Sequence, residues 1–312
     1  MTGAPDAVLA LDIGGGHVTA ALISLDTRTV SGYGVVRISV DHNADAGTIV
    51  HAWSVAALHA LRDDLLPPTH VVVAMPGPFD YESGVSTMKR KFRTLHGLNV
   101  RSALQTAWQD TPLAEATVLF GNDATLFALG EWWAGAARGV RRVVGVTLGT
   151  GIGGGFVVDG VPQYGGEGVP DGGMVWHLPL RGGVAEDFVS GPALTWAYER
   201  RTGSRLSPAA MAAAAQAGDR DAQAVFIQLG QDLAEVLSPC LSAFRAERLV
   251  LGGNISRAFT LFQGSIRLGL RAGGVLIVPT SLFETAALLG GAALYASNSA
   301  HLLTSHGRER RA

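Results

Sequence analysis

The chain of 312 residues contains a single cysteine, Cys240, which excludes an intramolecular disulfide framework. It lies in an apolar helical stretch and reads as a buried structural thiol, because no neighbour in the sequence would activate it as a nucleophile. Lysine is nearly absent too. Of 24 lysines and arginines, only Lys89 and Lys91 are lysine. The formal net charge is −2, so there is no one-sided charge to hold a nucleic acid or a membrane surface. No uninterrupted apolar run reaches the roughly 18 residues that a membrane span needs. The N-terminus lacks a basic segment followed by an apolar signal core, and Met1 to Asp6 lead straight into a strand pattern. The expectation is a soluble, cytoplasmic protein of one large or two ordinary domains.

Glycine, by contrast, numbers 41. Two of its runs are one device repeated: apolar strand, glycine-rich turn, apolar strand. The first copy is Val8–Ile13, Gly14-Gly15-Gly16, His17–Ala20. The second is Val143–Leu148, Gly149-Thr150-Gly151, Ile152–Val158. Glycine permits positive φ and leaves backbone N–H groups open to a ligand, and successive N–H groups form an anion-binding concavity. Two such turns in two halves of one chain suggest two jaws on one polyphosphate.

Between and after them, strands and helices alternate, the pattern of an α/β protein. Residues 8–12, 17–25 and 34–40 read as strands, and 45–65 as an amphipathic helix stopped by Pro67-Pro68. Strand patterns at 71–75 and 116–120 follow, with helices near 99–109 and 124–134. The second half is mostly helical: 186–201 as one helix, 208–217, and a long helix to about Phe244. A strand at 248–251 and a last helix at about 284–296 complete it. Gly290-Gly291 in that helix points to close packing on another backbone. The expected division is 1–121 and 122–283, with the helix over 284–300 packing back on the first domain. Residues 301–312 read as a flexible tail.

Gly149, Gly151 and Gly154 satisfy G-x-G-x-x-G, but the dinucleotide fingerprint needs a helix immediately after the glycines. Here a strand follows, so nicotinamide binding fails on context. No glycine run ends in Gly-Lys-Ser/Thr, so there is no P-loop. A hairpin phosphate clamp fits better, with the amides of Gly14, Gly15, Gly16, Gly149, Gly151 and Gly153 and the hydroxyls of Thr147 and Thr150. Asp12, at the end of the first strand, suits hydrated Mg²⁺, which favours one or two carboxylates plus phosphate oxygens. Asn122-Asp123 ends a strand and starts a helix, where open α/β sheets bind ligands. Two readings fit this pair: a helix N-cap, or a carboxylate that takes a proton from a hydroxyl attacking a phosphoryl group.

Together these segments resemble the ROK family of sugar kinases and sugar-responsive repressors. Asp12-Ile13-Gly14-Gly15 is similar to that family's first phosphate loop, and Leu148 to Gly155 to its second. Gly121-Asn122-Asp123-Ala124 with Ala128-Leu129-Gly130-Glu131 is similar to its catalytic strand and helix. Ala217-Gly218-Asp219 and Leu249 to Ile255 match segments of its second half. The resemblance implies a two-domain actin-like ATPase (ribonuclease H-like) fold with an interdomain cleft, and ATP and Mg²⁺ as cofactors. It implies Asp123 as general base, and Asn122, His177, Glu186 and Gly77 as sugar-binding residues. Gly253 and Asn254 are implied to lie near the nucleotide. A homodimer is implied as well.

The chain departs from the family in four places. The span Leu178–Ala185, where the family often carries a cysteine-rich zinc loop, has no cysteine, so no zinc site is expected. Met174 replaces a glutamate three residues before the histidine. Gly16 and His17 replace a threonine and a lysine. Met88-Lys89-Arg90-Lys91-Phe92-Arg93 replaces a loop with sugar-contacting Asn and Trp. It reads either as a solvated basic loop or as a cationic contact for a carboxylate or phosphate. The expected activity is ATP-dependent phosphorylation of a sugar or sugar-like polyol. The alternative is a sugar sensor of the same fold with weak or no catalysis. A DNA-binding repressor is not expected, because the first loop begins within a dozen residues of Met1 and leaves no room for a helix-turn-helix.

Overall fold

The computed structural model of the chain describes residues 7–61, 66–270 and 274–309. It divides into two units, one of 1–134 with 284–312 and one of 135–283. The first unit opens with β1 (Ala7–Ile13), β2 (His17–Ser24) and β3 (Thr29–Ser39), then α1 (Ala46–His59) and β4 (His70–Met75). A small hairpin of β5 (Phe79–Asp80) and β6 (Val85–Ser86), then α2 (Val100–Ala107), β7 (Thr117–Asn122) and α3 (Asp123–Trp133), follow. Its sheet has the order β3-β2-β1-β4-β7. The first three strands are antiparallel, whereas β1, β4 and β7 run parallel.

Strand β1 is buried almost throughout, as expected for a strand covered on both faces. Leu9, Leu11 and Ile13 face a core that includes Trp53 of α1 and Leu104 of α2. The alternate positions Ala10 and Asp12 face the other way. Asp12 is paired with Thr19 on β2, and Thr19 with Arg37 on β3, so these three side chains form one row across the sheet.

The second unit repeats the plan. It holds β8 (Arg142–Leu148), β9 (Ile152–Val158), β10 (Val161–Gln163), and a hairpin of β11 (Pro179–Leu180) and β12 (Gly183–Val184). Then come α4 (Glu186–Val189), α5 (Gly191–Thr202), α6 (Pro208–Gln216), α7 (Arg220–Phe244), β13 (Arg248–Gly252), α8 (Phe259–Gly269) and β14 (Leu276–Pro279). The sheet order is β10-β9-β8-β13-β14, position for position that of the first sheet. Each glycine run is therefore the turn of the first hairpin in its own sheet. Half-buried Cys240 packs on this unit's core, and burial pushes its thiol pKa up, which keeps it unreactive.

The last helix, α9 (Ala286–Glu309), belongs to the first unit. It lies against α3 so closely that a β-carbon on Gly290 would stand 1.8 Å from the Leu126 carbonyl oxygen, and one on Gly130 1.9 Å from that of Ala286. On the sheet side, a Gly291 β-carbon would stand 3.2 Å from Val72. This contact explains why the division falls after Ala134 and not near 121: α3 is held by α9. Gly290→Ala is expected to cost about 3 kcal/mol, the upper end for overpacking, read as a lowered urea midpoint. A variant as stable as the parent would mean that the helices do not cross this closely.

Other expectations shift in detail. The helix expected over 45–65 ends at His59 with Ala60 as its cap, and residues 62–65 lie outside the described residues. The single helix expected over 186–201 is two, because Ser190 is extended (φ −96°, ψ 165°) and caps α5 through the Ala193 N–H, ahead of Pro192. Helix α9 continues through residues 301–309, where a tail was expected; residues 310–312 lie outside the described residues. Among the described residues no helix is long and apolar enough to cross a membrane.

Candidate active site

In the first unit the parallel strands β1, β4 and β7 end on the same edge of the sheet, and the residues of interest sit there. Asn122 is the N-cap of α3: its Oδ1 accepts from the N–H groups of Ala124 and Thr125, each at 3.1 Å. The cap reading thus belongs to Asn122, and Asp123 is the first helical residue. The Asn122 Nδ2 donates to the Tyr81 hydroxyl at 3.0 Å, and that hydroxyl donates to the Met75 carbonyl at 3.1 Å. Its oxygen being committed, Asn122 has one amide hydrogen left to offer a ligand. The Tyr81 hydroxyl lies 3.6 Å from where a Gly77 β-carbon would stand, so Gly77, Tyr81 and Asn122 meet at the ends of β4 and β7.

Two carboxylates face this edge. Burial, reinforced by the nearby Asp123 charge, pushes the Asp12 pKa up to about 7 against the opposing pull of Arg37. Burial raises Asp123 as well, opposed chiefly by the Ala124 N–H, which donates to its Oδ1 at 2.8 Å, and then by Lys91. Arg37 is paired with Glu284 at 3.0 Å. Among the described residues no hydrogen bond contributes to the Asp12 environment. A partly buried carboxyl that finds no donor among the described residues and sits beside a second carboxyl suits a cation. Among the described residues no group of three or more His, Cys, Asp and Glu is arranged to hold a metal ion. A cation at Asp12 would therefore take most of its ligands from water and phosphate, as Mg²⁺ does.

The glycines at both turns have a reason other than the one the sequence suggests. None of Gly14, Gly15, Gly16, Gly149, Gly151 and Gly154 has positive φ; what they supply is the missing side chain. A β-carbon on Gly14 would lie 2.7 Å from the His17 ring. Burial lowers the pKa of that ring. A β-carbon on Gly151 would lie 2.2 Å from Glu186 Oε2, and one on Gly154 2.7 Å from Val175. Gly16 and Gly149 open onto free space, which leaves their backbones accessible.

In the second unit the turn Gly149-Thr150-Gly151 is tied by Gly149 N–H to the Gly151 carbonyl at 2.9 Å, and by Gly191 N–H to the Gly149 carbonyl at 2.8 Å. Thr147 and exposed Thr150 flank it. Gly252 is in register with Thr147. Gly253, at φ 78°, packs on Leu148, where any β-carbon would lie 2.3 Å from the carbonyl oxygen, and Asn254 is exposed beside it. Glu186 reaches the turn through Oε2, which accepts from Ile152 N–H at 3.3 Å. The backbones of His177 and Glu186 are neighbours, since Glu186 N–H donates to Trp176 and Ala185 N–H to Leu178.

The span between them is the β11–β12 hairpin. Its turn residues Arg181 and Gly182 both have positive φ (45° and 82°), the pattern of a type I′ turn. Arg181 bonds the buried Asp232 and the exposed Glu235 of α7 at 2.5 and 2.6 Å. Gln228 also donates to Asp232, at 2.6 Å. An ion-pair staple thus fastens the loop that carries His177 and Glu186. Sequence reading missed Tyr81 and Arg181 altogether. It took Lys91 as one of four cations in a loop that reads either as solvated or as a contact for a carboxylate or phosphate.

Two units with the same strand order, each with a glycine turn in its first hairpin, define the class: an actin-like ATPase fold. Solved structures with this fold include a ROK hexokinase from Thermus thermophilus (TM-score 0.75, 24% identity, covering 94% of this chain and 99% of that one). Another is a ROK family glucokinase from Streptomyces griseus in complex with glucose and AMPPNP (TM-score 0.74, 21% identity, 92% and 98%). The sequence model of the ROK family matches residues 8–297, and the chain belongs to the ROK family. It is similar over nearly its whole length to a glucokinase of Thermotoga maritima, with 27% identity covering 92% of this chain and 96% of that enzyme.

Proposed function

We propose that the protein is a kinase that transfers the γ-phosphoryl group of ATP to a hydroxyl of a sugar. The observation that carries this reading is the edge of the first sheet, where Asp12, the glycine turn and Asp123 share the ends of parallel strands. Family membership and the full-length similarity to a glucokinase support it.

In the proposed step the sugar oxygen forms a bond to the γ-phosphorus as the bond from phosphorus to the β–γ bridging oxygen breaks. The electron pair of that bond leaves on ADP, and the hydroxyl proton passes to the Asp123 carboxylate. Burial raises the proton affinity of Asp123, which suits a base near neutral pH. Asn122, fixed by its cap bonds, offers its remaining N–H to the sugar. His177 and Glu186 offer a ring nitrogen and a carboxylate to its hydroxyls. The amides of Gly14, Gly15 and Gly16 serve the phosphates. In the second unit, Gly149, Gly151 and Gly153 with Thr147, Thr150, Gly253 and Asn254 offer groups of the same kind. Asp12 would hold Mg²⁺, which would neutralise charge on the phosphates when bound.

Met174 removes one carboxylate acceptor from the sugar loop, so the acceptor is not taken to be glucose. The test is ADP release against hexoses, amino sugars, polyols and sugar acids with Mg²⁺ and ATP, with the phosphorylated product identified by NMR. Turnover with at least one of them is expected. Thermal stabilisation by a sugar with no ADP formed from any would favour the sensor reading instead.

A further inference from the structure

We propose that Lys91 is a catalytic residue of this transfer, its ammonium binding the γ-phosphoryl oxygens above the first glycine turn; the inference rests on the kinase reading above.

Its side chain lies across that turn, with Cε and Nζ each 3.8 Å, and Cδ 3.9 Å, from where a Gly15 β-carbon would stand. The loop that carries it is anchored on the core by its apolar residues. Phe92, the next residue, is fully buried in a left-handed conformation (φ 48°) and packs edge-on against Trp53 at 5.6 Å. Met88, on the other side, is buried as well. These two apolar anchors fix the backbone that carries Lys91; its side chain is exposed, as are those of Lys89, Arg90 and Arg93, but the three atoms nearest to a Gly15 β-carbon are all its own.

Charge gives the position its meaning. Asp12 and Asp123 already place two carboxylates at this edge, and a triphosphate adds more negative charge. The turn brings no cation of its own, since Gly14, Gly15 and Gly16 are followed by His17, whose ring is disposed to stay neutral by burial. Arg37 is engaged by Glu284. Lys91 interacts with Asp123 over a longer range, and among the described residues it forms no ion pair or hydrogen bond of its own. A lysine fits better than an arginine, because a compact point charge on a flexible stem can follow the phosphoryl group as it moves between oxygens. In a chain that uses arginine for all but two of its strongly basic side chains, this is one of the exceptions.

The test compares Lys91→Met with Lys89→Met in the full chain. Lys91→Met is expected to lower kcat by about 10²-fold or more, as loss of one preorganised donor to developing charge does. Affinity for MgADP–aluminium fluoride with sugar, a mimic of the transferring phosphoryl, should fall by a similar factor. Its sugar Kd and Tm should match the parent's, and Lys89→Met should keep full turnover. Small alkylammonium ions should restore part of the activity of Lys91→Ala, which a structural role would not allow. A Lys91→Met kcat within threefold of the parent overturns the proposal, and so does a loss confined to sugar Kd, which would put the ammonium on the sugar. A parent without turnover on any sugar removes the kinase reading and this inference together; an active parent matched by Lys91→Met removes the inference alone.

Discussion

Asp123→Asn is expected to leave folding and sugar affinity intact while kcat falls by roughly 10²–10⁴-fold, the contribution of a positioned base. Structural roles at this position are few. Helix capping is done by Asn122, so removing the Asp123 charge does not uncap α3. Burial already holds the pKa of the carboxyl above its ordinary value, so an uncharged amide of the same shape removes a desolvation cost. Folding should therefore be unharmed or slightly improved, and turnover alone should collapse. The measurements are single-turnover phosphoryl transfer, and sugar binding by calorimetry. Turnover within a few-fold of the parent would remove Asp123 as the base, and an equal loss in sugar affinity would make it a binding residue.

Asp12→Asn should separate stability from activity in the same way, with a pH signature. The Asp12 pKa is about 7 in the fold against 3.8 when exposed. The folded value is raised, so the charged form is disfavoured by folding. The resulting destabilisation is absent below about pH 4, grows as pH rises through the interval, and is complete above about pH 7. Its ceiling is about 4 kcal/mol. Without nucleotide, Asp12→Asn should match the parent at pH 4 and exceed it in urea midpoint at pH 8; a difference that does not change with pH would refute this. Turnover with MgATP should meanwhile fall on the order of 10²-fold or more, because the amide cannot anchor the cation. In the parent, kcat/KM for MgATP should decline below about pH 7, as a proton competes with the cation for the carboxylate.

The residues that sequence reading singled out fall into two kinds. Asp12, Asn122 and Asp123 were legible as residues at or next to the end of a strand whose apolar run is unmistakable, and strand ends are where an open sheet meets ligand. The break at Ser190 was legible in principle, since Ser-Gly-Pro is a cap followed by a proline suited to a first turn, but the apolar spacing on either side masked it. The unit boundary was not legible, because it depends on Gly130 and Gly290 meeting across more than a hundred and fifty residues of chain.

Alone, the sequence determined that two strand–turn–strand devices head two α/β halves, and that an Asn-Asp pair starts a helix from a strand. Periodicity and caps are local, so they survive without knowledge of what lies opposite. Only the tertiary structure decided which groups share a neighbourhood: Lys91 over Gly15, Tyr81 on Asn122, Arg181 on Asp232, and Asp12 pushed toward neutrality by burial and then by Asp123. Those depend on loop paths and on how much water packing leaves between elements, and neither is written in the spacing of residues along one strand or helix.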